Sequence, residues 1–270
     1  MDTRPIGIFD SGVGGLTVYK EIRRLLPHED LIYFGDTARV PYGGKSVKVI
    51  QKYSSEIARF LEIQGVKLLV VACNTASALA LNRLKSDCSV PVIGVIDPGV
   101  RAAVRAANGG KIGVIGTRGT INSEAYQSRI IRLRSDIEVL ARPCPLLVPI
   151  VEENIIDSEI ARLAIHMYLQ EFKSASVSSL ILACTHYPLL KKAISDFFGG
   201  GVALIDSAEE TAFEVKEMLK ARRIQGDENH HGKDEFYVSD CPESFSEIGE
   251  AFLGRSMNSG CFLHSWQSDD

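Results

Sequence analysis

The segment VKLLVVACNT, residues 66–75, decides the fold of this chain. Its continuous run of β-branched and aliphatic residues is too short to span a membrane and predicts a buried strand of a parallel sheet. The run ends at Cys73, and a helical pattern follows over Ala76–Lys85. Because open α/β sheets bind their ligands at the carboxyl ends of their strands, Cys73 is a candidate functional residue.

A second copy of this strand end occurs later in the chain. Residues 177–186 read VSSLILACTH, and in both copies a valine lies seven residues before the cysteine (73 − 66 and 184 − 177). Each copy has leucine, two aliphatic residues, alanine and then cysteine. The duplication predicts that Cys73 and Cys184 belong to one site, in which they face each other as separate thiols.

The repeat extends beyond the two cysteine strands. Residues 111–117, KIGVIGT, parallel residues 5–11, PIGIFDS, and strand and helix patterns alternate along both parts of the chain. After each cysteine a further apolar strand is predicted to end in an aspartate, at Asp97 and at Asp206. Such self-similarity predicts an α/β fold of two pseudo-symmetric domains with mainly parallel sheets, and an active site in the cleft between them.

The same pattern predicts where the domains divide. We expect the first domain to comprise residues 1–97 and 207–270, and the second to comprise residues 98–206, so that each carries one of the two cysteines. The tail from Gly254 contains the only tryptophan, Trp266, and we expect it to be partly mobile.

Composition and charge limit the function. Hydrophobic and charged fractions of 45% and 24% are ordinary for a globular protein, and a net charge of −4 without a basic stripe predicts no nucleic-acid partner. The N-terminus lacks the apolar segment of a signal peptide and no apolar run reaches membrane-spanning length, so we expect a cytoplasmic protein that does not contact a membrane. The six cysteines form no CxxC pair and no cluster at zinc spacing, which predicts reduced thiols and no metal.

Two thiols in one pocket can invert a carbon centre. A thiolate is a base with an ordinary pKa of about 8.5, close to working pH. One thiolate and one thiol on opposite faces of a tetrahedral carbon can remove a proton from one face and return a proton to the other, without a cofactor. Hydrolysis by a Cys–His pair is the rival interpretation, because His186 lies two residues after Cys184, but it leaves Cys73 unexplained. A non-catalytic, partner-binding role is a third.

Polar residues next to the predicted strand ends suit an anionic amino acid. Candidate donors to a carboxylate lie in turns or at predicted helix starts: Ser11, Tyr42, Gly43, Asn74, Thr75 and Thr185. Asp10 and Asp36 each follow a strand and could receive an ammonium group or assist a thiol. Glu152 and His186 are further acid/base candidates.

Four motifs together resemble those of the glutamate racemases. They are GIFDSGVGG (7–15), DTARVPYG (36–43), ACNTA (72–76) and CTHYP (184–188), and the match runs from about Ile6 to Leu253. The resemblance implies a cofactor-independent enzyme that interconverts L- and D-glutamate and supplies D-glutamate for peptidoglycan. Family members are commonly dimers, so we expect a homodimer. We also expect no activation by a peptidoglycan precursor, since the first strand begins a few residues into the chain.

The resemblance also assigns roles to individual residues. It makes Cys73 and Cys184 the two acid/bases, Cys73 acting on D-glutamate and Cys184 on L-glutamate. It implies substrate contacts for Asp10, Ser11, Tyr42, Gly43, Asn74, Thr75, Thr185 and His186. Asp36 and Glu152 receive auxiliary roles.

Overall fold

The computed structural model describes residues 1–257 and 260–266 and shows two parallel β-sheets flanked by helices. The chain begins with β1 (Ile6–Asp10), α1 (Leu16–Leu25), β2 (Leu31–Gly35), α2 (Val47–Ile63), β3 (Leu68–Val71), α3 (Asn74–Leu79), α4 (Leu81–Asp87), β4 (Val92–Gly94) and α5 (Ile96–Ala107). Short 3₁₀ helices, Thr37–Arg39 and Tyr42–Gly44, lie in the loop between β2 and α2.

The second sheet is built from the middle of the chain. Its elements are β5 (Ile112–Gly116), α6 (Arg118–Asn122), α7 (Ala125–Leu133), β6 (Val139–Pro143), α8 (Leu147–Glu152), α9 (Glu159–Ser174), β7 (Ser179–Ala183), the 3₁₀ helix Tyr187–Leu190, α10 (Lys191–Phe198) and β8 (Ala203–Ile205). The chain then continues through α11 (Ser207–Arg222), β9 (Asp234–Val238), α12 (Pro242–Leu253) and β10 (Cys261–Leu263).

The strand orders confirm the predicted duplication. The first sheet runs β10-β9-β2-β1-β3-β4 and the second runs β6-β5-β7-β8, with parallel pairing of neighbouring strands. Thus β5, β6, β7 and β8 repeat β1, β2, β3 and β4 in both chain order and spatial order. The α/β fold with two mainly parallel sheets is confirmed, and β9 and β10 extend the first sheet beyond β2.

Burial follows the apolar strand runs. Every residue of β1, β3 and β7 is buried, which agrees with strands covered by helices on both faces. Helix α11 packs against α1 of the first half and against α5, which lies on the second sheet, so it connects the two halves. The domain boundaries predicted from the sequence stay a prediction.

One local prediction is wrong. Strand β4 ends at Gly94, and Asp97 lies in the first turn of α5, because the helix starts at Ile96. In the tail, Cys261–Leu263 form β10 and Trp266 lies against Phe34, while the expected partial mobility stays a prediction. Residues 258–259 and 267–270 of the predicted tail lie outside the described residues. No helix of the described chain has the length and apolar character needed to cross a membrane.

Candidate active site

One cavity of about 450 Å³ lies where strand ends of the two sheets meet. Residues from both halves of the chain line it: Ser11, Gly12, Val40, Pro41, Tyr42, Gly43, Gly44, Cys73, Asn74, Thr75, Thr117, Arg118, Pro145, Val148, Pro149, Glu152, Cys184, Thr185 and His186. Both predicted cysteines therefore face the same space. All six cysteines are free, so Cys73 and Cys184 are separate thiols.

Cys73 lies between β3 and α3, which it caps. Its Sγ accepts the Ala76 N–H at 3.4 Å and contacts Ser11 Oγ at 3.8 Å. Burial, helped by the nearby charge of Asp10, raises the pKa of the Cys73 thiol to about 12. The neutral thiol is therefore the favoured form at this strand end.

Asp10 ends β1 and lies behind the Ser11 turn. Its side chain is fully buried, and its Oδ2 accepts the Gly12 N–H at 3.0 Å. Its Oδ1 has no hydrogen-bond partner among the described residues. Burial raises the pKa of Asp10, although the positive charge of His186 and nearby backbone N–H groups oppose the shift. A carboxyl group with a raised pKa and a free oxygen can exchange a proton with a neighbour.

Cys184 follows β7 and has a different set of neighbours. Its Sγ lies 3.9 Å from His186 Nδ1, and His186 Nε2 lies 2.9 Å from Glu152 Oε1. Burial disfavours the charged imidazole, but the hydrogen bonds and charges of Cys184 and Glu152 outweigh it and raise the pKa of His186 to about 10. An imidazolium beside Cys184 stabilises negative charge on its sulfur.

Contacts between the two halves position polar groups in the cavity. Tyr126 of α7 donates a hydrogen bond to Asn74 Oδ1 at 2.6 Å, which leaves the amide N–H groups of Asn74 free to face elsewhere. Thr75 Oγ1 lies 2.9 Å from Thr117 Oγ1 and 3.2 Å from Thr120 Oγ1. These bonds fix first-half side chains against α6 and α7 of the second half.

Close backbone approach also joins the halves. A Cβ on Gly14 would lie 2.3 Å from Thr185 Oγ1 and 2.6 Å from the His186 ring. A Cβ on Gly43 would lie 2.6 Å from Thr117. A side chain at either position would force these neighbours to shift, since real Cβ contacts do not approach so closely.

The structure brings together ten of the twelve predicted site residues and places two behind the cavity. Those that line it are Ser11, Tyr42, Gly43, Cys73, Asn74, Thr75, Glu152, Cys184, Thr185 and His186. Asp10 lies behind the Ser11 turn, as described. Asp36 is fully buried and accepts hydrogen bonds from Tyr42 OH, from Arg39 Nε at 2.8 Å and from Ser239 Oγ at 2.8 Å.

Sequence reasoning missed several lining residues of the second half. Thr117 and Arg118 begin α6, and Pro145, Val148 and Pro149 precede or form α8. The signal for Thr117 was present, because it occupies the position of Ser11 in the repeated KIGVIGT segment. The apolar α8 residues carry no comparable signal, since their pattern is that of any short buried helix.

Comparisons with known proteins agree with this fold and site. Residues 6–215 match the model of the Asp/Glu/hydantoin racemase family. A glutamate racemase of Geobacter metallireducens is 52% identical over 257 residues, which is 95% of each chain. The crystal structure of the Francisella tularensis glutamate racemase in complex with D-glutamate superimposes with a TM-score of 0.91, at 39% identity over 98% of each chain.

A third relative has a solved structure with a different small molecule. The glutamate racemase of Thermus thermophilus, in complex with β-chloro-D-alanine, has a TM-score of 0.88 at 46% identity, again over 98% of each chain. Fold, site and relatives together define an isomerase, of the amino-acid racemase class. The chain belongs to the Asp/Glu/hydantoin racemase family and, within it, to the glutamate racemases.

Proposed function

We propose that this enzyme interconverts L- and D-glutamate by a two-base mechanism without a cofactor. The observation that supports it most directly is a single cavity lined by two buried free thiols, one from each of two duplicated sheets. The relatives named glutamate racemase, one of them in complex with D-glutamate, support the choice of substrate.

In the direction from L to D, Cys184 acts as the thiolate and Cys73 as the thiol. The Cys184 sulfur takes the α-proton of L-glutamate, and the electron pair left on the α-carbon delocalises into the adjacent carboxylate. The Cys73 S–H bond then breaks and its proton goes to the opposite face of the α-carbon. The products are D-glutamate, a Cys184 thiol and a Cys73 thiolate, so protons and charge balance.

The opposite direction uses the same groups with exchanged roles. Cys73 must then be a thiolate, and the Asp10 carboxylate is the group placed to take its proton, since its buried Oδ1 is unpaired within the described chain. His186 in turn supports Cys184 through the 3.9 Å contact, and Glu152 supports His186. Proton exchange with solvent resets the two thiols between turnovers.

The polar lining divides into two groups of donors. Asn74, Thr75 and Thr185 lie next to the two cysteines and would hold the α-carboxylate. Ser11, which also contacts Cys73, and the backbone N–H groups of Tyr42 and Gly43 come from loops and would hold the distal carboxylate. Donors paired to both carboxylates disfavour an amino acid that lacks the second one, because the site would keep unmatched polar groups.

The remaining parts of the proposal concern the setting of the enzyme. We place it in the cytoplasm as a homodimer that supplies D-glutamate for peptidoglycan, and we assign residues 1–97 with 207–270 to one domain and residues 98–206 to the other. The two-sheet arrangement supports that division, because β4 and β5 lie in different sheets.

Replacing each cysteine with serine tests the mechanism. Racemisation should fall by about 10²–10⁴-fold in either variant, since a hydroxyl is a far weaker base than a thiolate. Cys73→Ser should still exchange the α-proton of L-glutamate into deuterated solvent, and Cys184→Ser should still exchange that of D-glutamate. Cys88→Ser changes a half-buried thiol outside the cavity and serves as the control.

The pattern of exchange decides between mechanisms. If both variants lose exchange with the same enantiomer, or if one cysteine is dispensable, the symmetric mechanism is wrong. Activity that survives without Cys73 would favour the Cys184–His186 nucleophile. If the chain keeps its biological role after both cysteines are replaced, a non-catalytic function is favoured.

A further inference from the structure

The C-terminal segment contacts residues that lie behind the cavity loop, residues 40–44. Strand β10 pairs in parallel with β9, and the His264 N–H donates to Val238 O at 2.7 Å. The Trp266 ring then lies 5.4 Å from the Phe34 ring and 4.8 Å from the His264 ring. These contacts hold the indole against the outer end of β2, where the cavity loop begins.

Trp266 and Tyr53 enclose a single guanidinium group. The Arg39 Cζ lies 4.1 Å from the Trp266 ring centroid and 4.0 Å from that of Tyr53. Arg39 also pairs with Asp36, which is fully buried, and with Glu56. A cation held between two aromatic faces is restricted in position as well as stabilised.

Asp36 connects this cluster to the cavity. Its Oδ1 accepts the Trp266 indole N–H at 3.3 Å, while its other oxygen accepts the hydroxyl of Tyr42. Tyr42 and Gly43 line the cavity, and Gly43 lies against Thr117 of the second half. A continuous path of contacts therefore runs from the chain's end, through one buried carboxylate, to the loop.

We propose that Trp266 is a positioning residue for the cavity loop, residues 40–44, and that it acts through Arg39 and Asp36. Small displacements of groups that hold a substrate weaken its binding strongly. The contacts that support Tyr42 from behind are therefore expected to affect KM more than kcat. Asp36 then has the role of an anchor for the loop. The kinetic part of this inference rests on the proposed function, whereas the contact path does not.

The chain's only tryptophan makes the path measurable without any activity. Acrylamide should quench Trp266 fluorescence far less in the folded chain than in urea. Tyr42→Phe removes the hydroxyl that binds Asp36, so it should raise the quenching of Trp266 if loop and tail are coupled. Tyr168→Phe, a like change in the second half, is the control. Quenching that Tyr42→Phe leaves unchanged would overturn the proposal, whether or not the chain racemises glutamate.

Kinetics separate positioning from simple loss of fold. Trp266→Ala should raise KM for glutamate by about ten-fold, as expected for a lost cation–π contact and a lost bond to a buried carboxylate. Its kcat should change less than about two-fold, because the thiols are not displaced. Trp266→Phe keeps the ring over Arg39 and should recover part of the affinity. Leu263→Ala alters an exposed residue of β10 and is the control.

Each kinetic outcome has a distinct meaning. A purely structural role would lower the active fraction, and thus the apparent kcat, with KM unchanged, which would overturn the proposal. An unchanged KM in a fully folded Trp266→Ala variant would do the same. If the unaltered chain itself fails to interconvert glutamate, the proposed function is wrong, and the quenching experiment alone decides whether tail and loop are coupled.

Discussion

The strand ends at Cys73 and Cys184 share a backbone plan but differ in the groups that handle protons. Each cysteine follows a buried central strand, and the neighbours of the two strands are equivalent: β3 lies between β1 and β4, and β7 lies between β5 and β8. Near Cys73 lies Asp10, a buried carboxyl group with a raised pKa. Near Cys184 lies His186, held by Glu152, with its pKa raised to about 10.

The duplicated strands therefore give both cysteines the same backbone position, whereas the groups that transfer protons near them differ. The proposed two-base mechanism needs one base on each face of the α-carbon, and two copies of one strand end can provide them. In the proposed mechanism the two thiols need not be activated in the same way, because each takes the α-proton of a different enantiomer. A carboxyl group suits a thiol that rests neutral, and an imidazolium stabilises negative charge that forms on a neighbouring sulfur.

Replacing the proton-transfer partner of each cysteine, Asp10 or His186, should change the reaction rates most. We expect Asp10→Asn to slow β-elimination from a D-glutamate carrying a β-leaving group, and His186→Asn to slow it from the L-enantiomer, each by about 10²-fold. β-Elimination needs only one proton abstraction from the α-carbon, so its rate can differ between the two enantiomers. For racemisation, kcat/KM must fall equally in both directions, since enantiomers have equal free energies.

Asp196→Asn is the control for these replacements. It neutralises a surface carboxylate that pairs only with Lys192 in the described chain, so both elimination rates should stay unchanged. If Asp10→Asn and His186→Asn slow the same enantiomer, the assignment of one proton-transfer partner to each sulfur fails. Steady-state rates with both enantiomers are the measurement.

Alkylation should distinguish the sulfurs by a smaller margin. At neutral pH, we expect iodoacetamide to modify Cys184 more than about ten-fold faster than Cys73, because the thiolate is the reactive form and burial raises the pKa of the Cys73 thiol. Both side chains are similarly buried, at 6% and 4% exposed, so access does not explain such a difference. Modification of Cys73 should accelerate as the pH rises, because burial raises the pKa of its thiol. Peptide mass spectrometry follows each cysteine separately, and faster modification of Cys73 at neutral pH would contradict the comparison.

Much of this arrangement could be predicted from sequence because it depends on short-range patterns. The apolar runs and their shared Ala-Cys ends located β3, β7 and both thiols. Long-range contacts carried no such pattern. The contact of Trp266 with Asp36 joins residues 230 positions apart, and it gives Asp36 a place behind the loop. The predicted strand end at Asp97 was wrong because apolar residues that begin a buried helix resemble the end of a strand.

Tyr126 of the second half contacts the residue that follows Cys73, and we expect its replacement to have a smaller effect than the changes above. The Tyr126 hydroxyl fixes the amide of Asn74, the residue after Cys73, by a buried hydrogen bond of 2.6 Å. Tyr126→Phe keeps the ring volume but frees the amide to rotate and leaves its oxygen unpaired. We expect KM for both enantiomers to rise by about five-fold with kcat little changed, as a loss of about 1 kcal/mol in binding predicts.

The control for this change is Tyr168→Phe, which removes a largely buried hydroxyl that contacts Leu146 N at 3.4 Å and not Asn74. Its KM should equal that of the unaltered enzyme. Because Asn74 would hold the α-carboxylate, which both enantiomers share, Tyr126→Phe should affect L- and D-glutamate alike. A KM that rises for one enantiomer alone would show that Asn74 serves one proton-transfer face, and would move it from the shared binding groups to the group that helps Cys73.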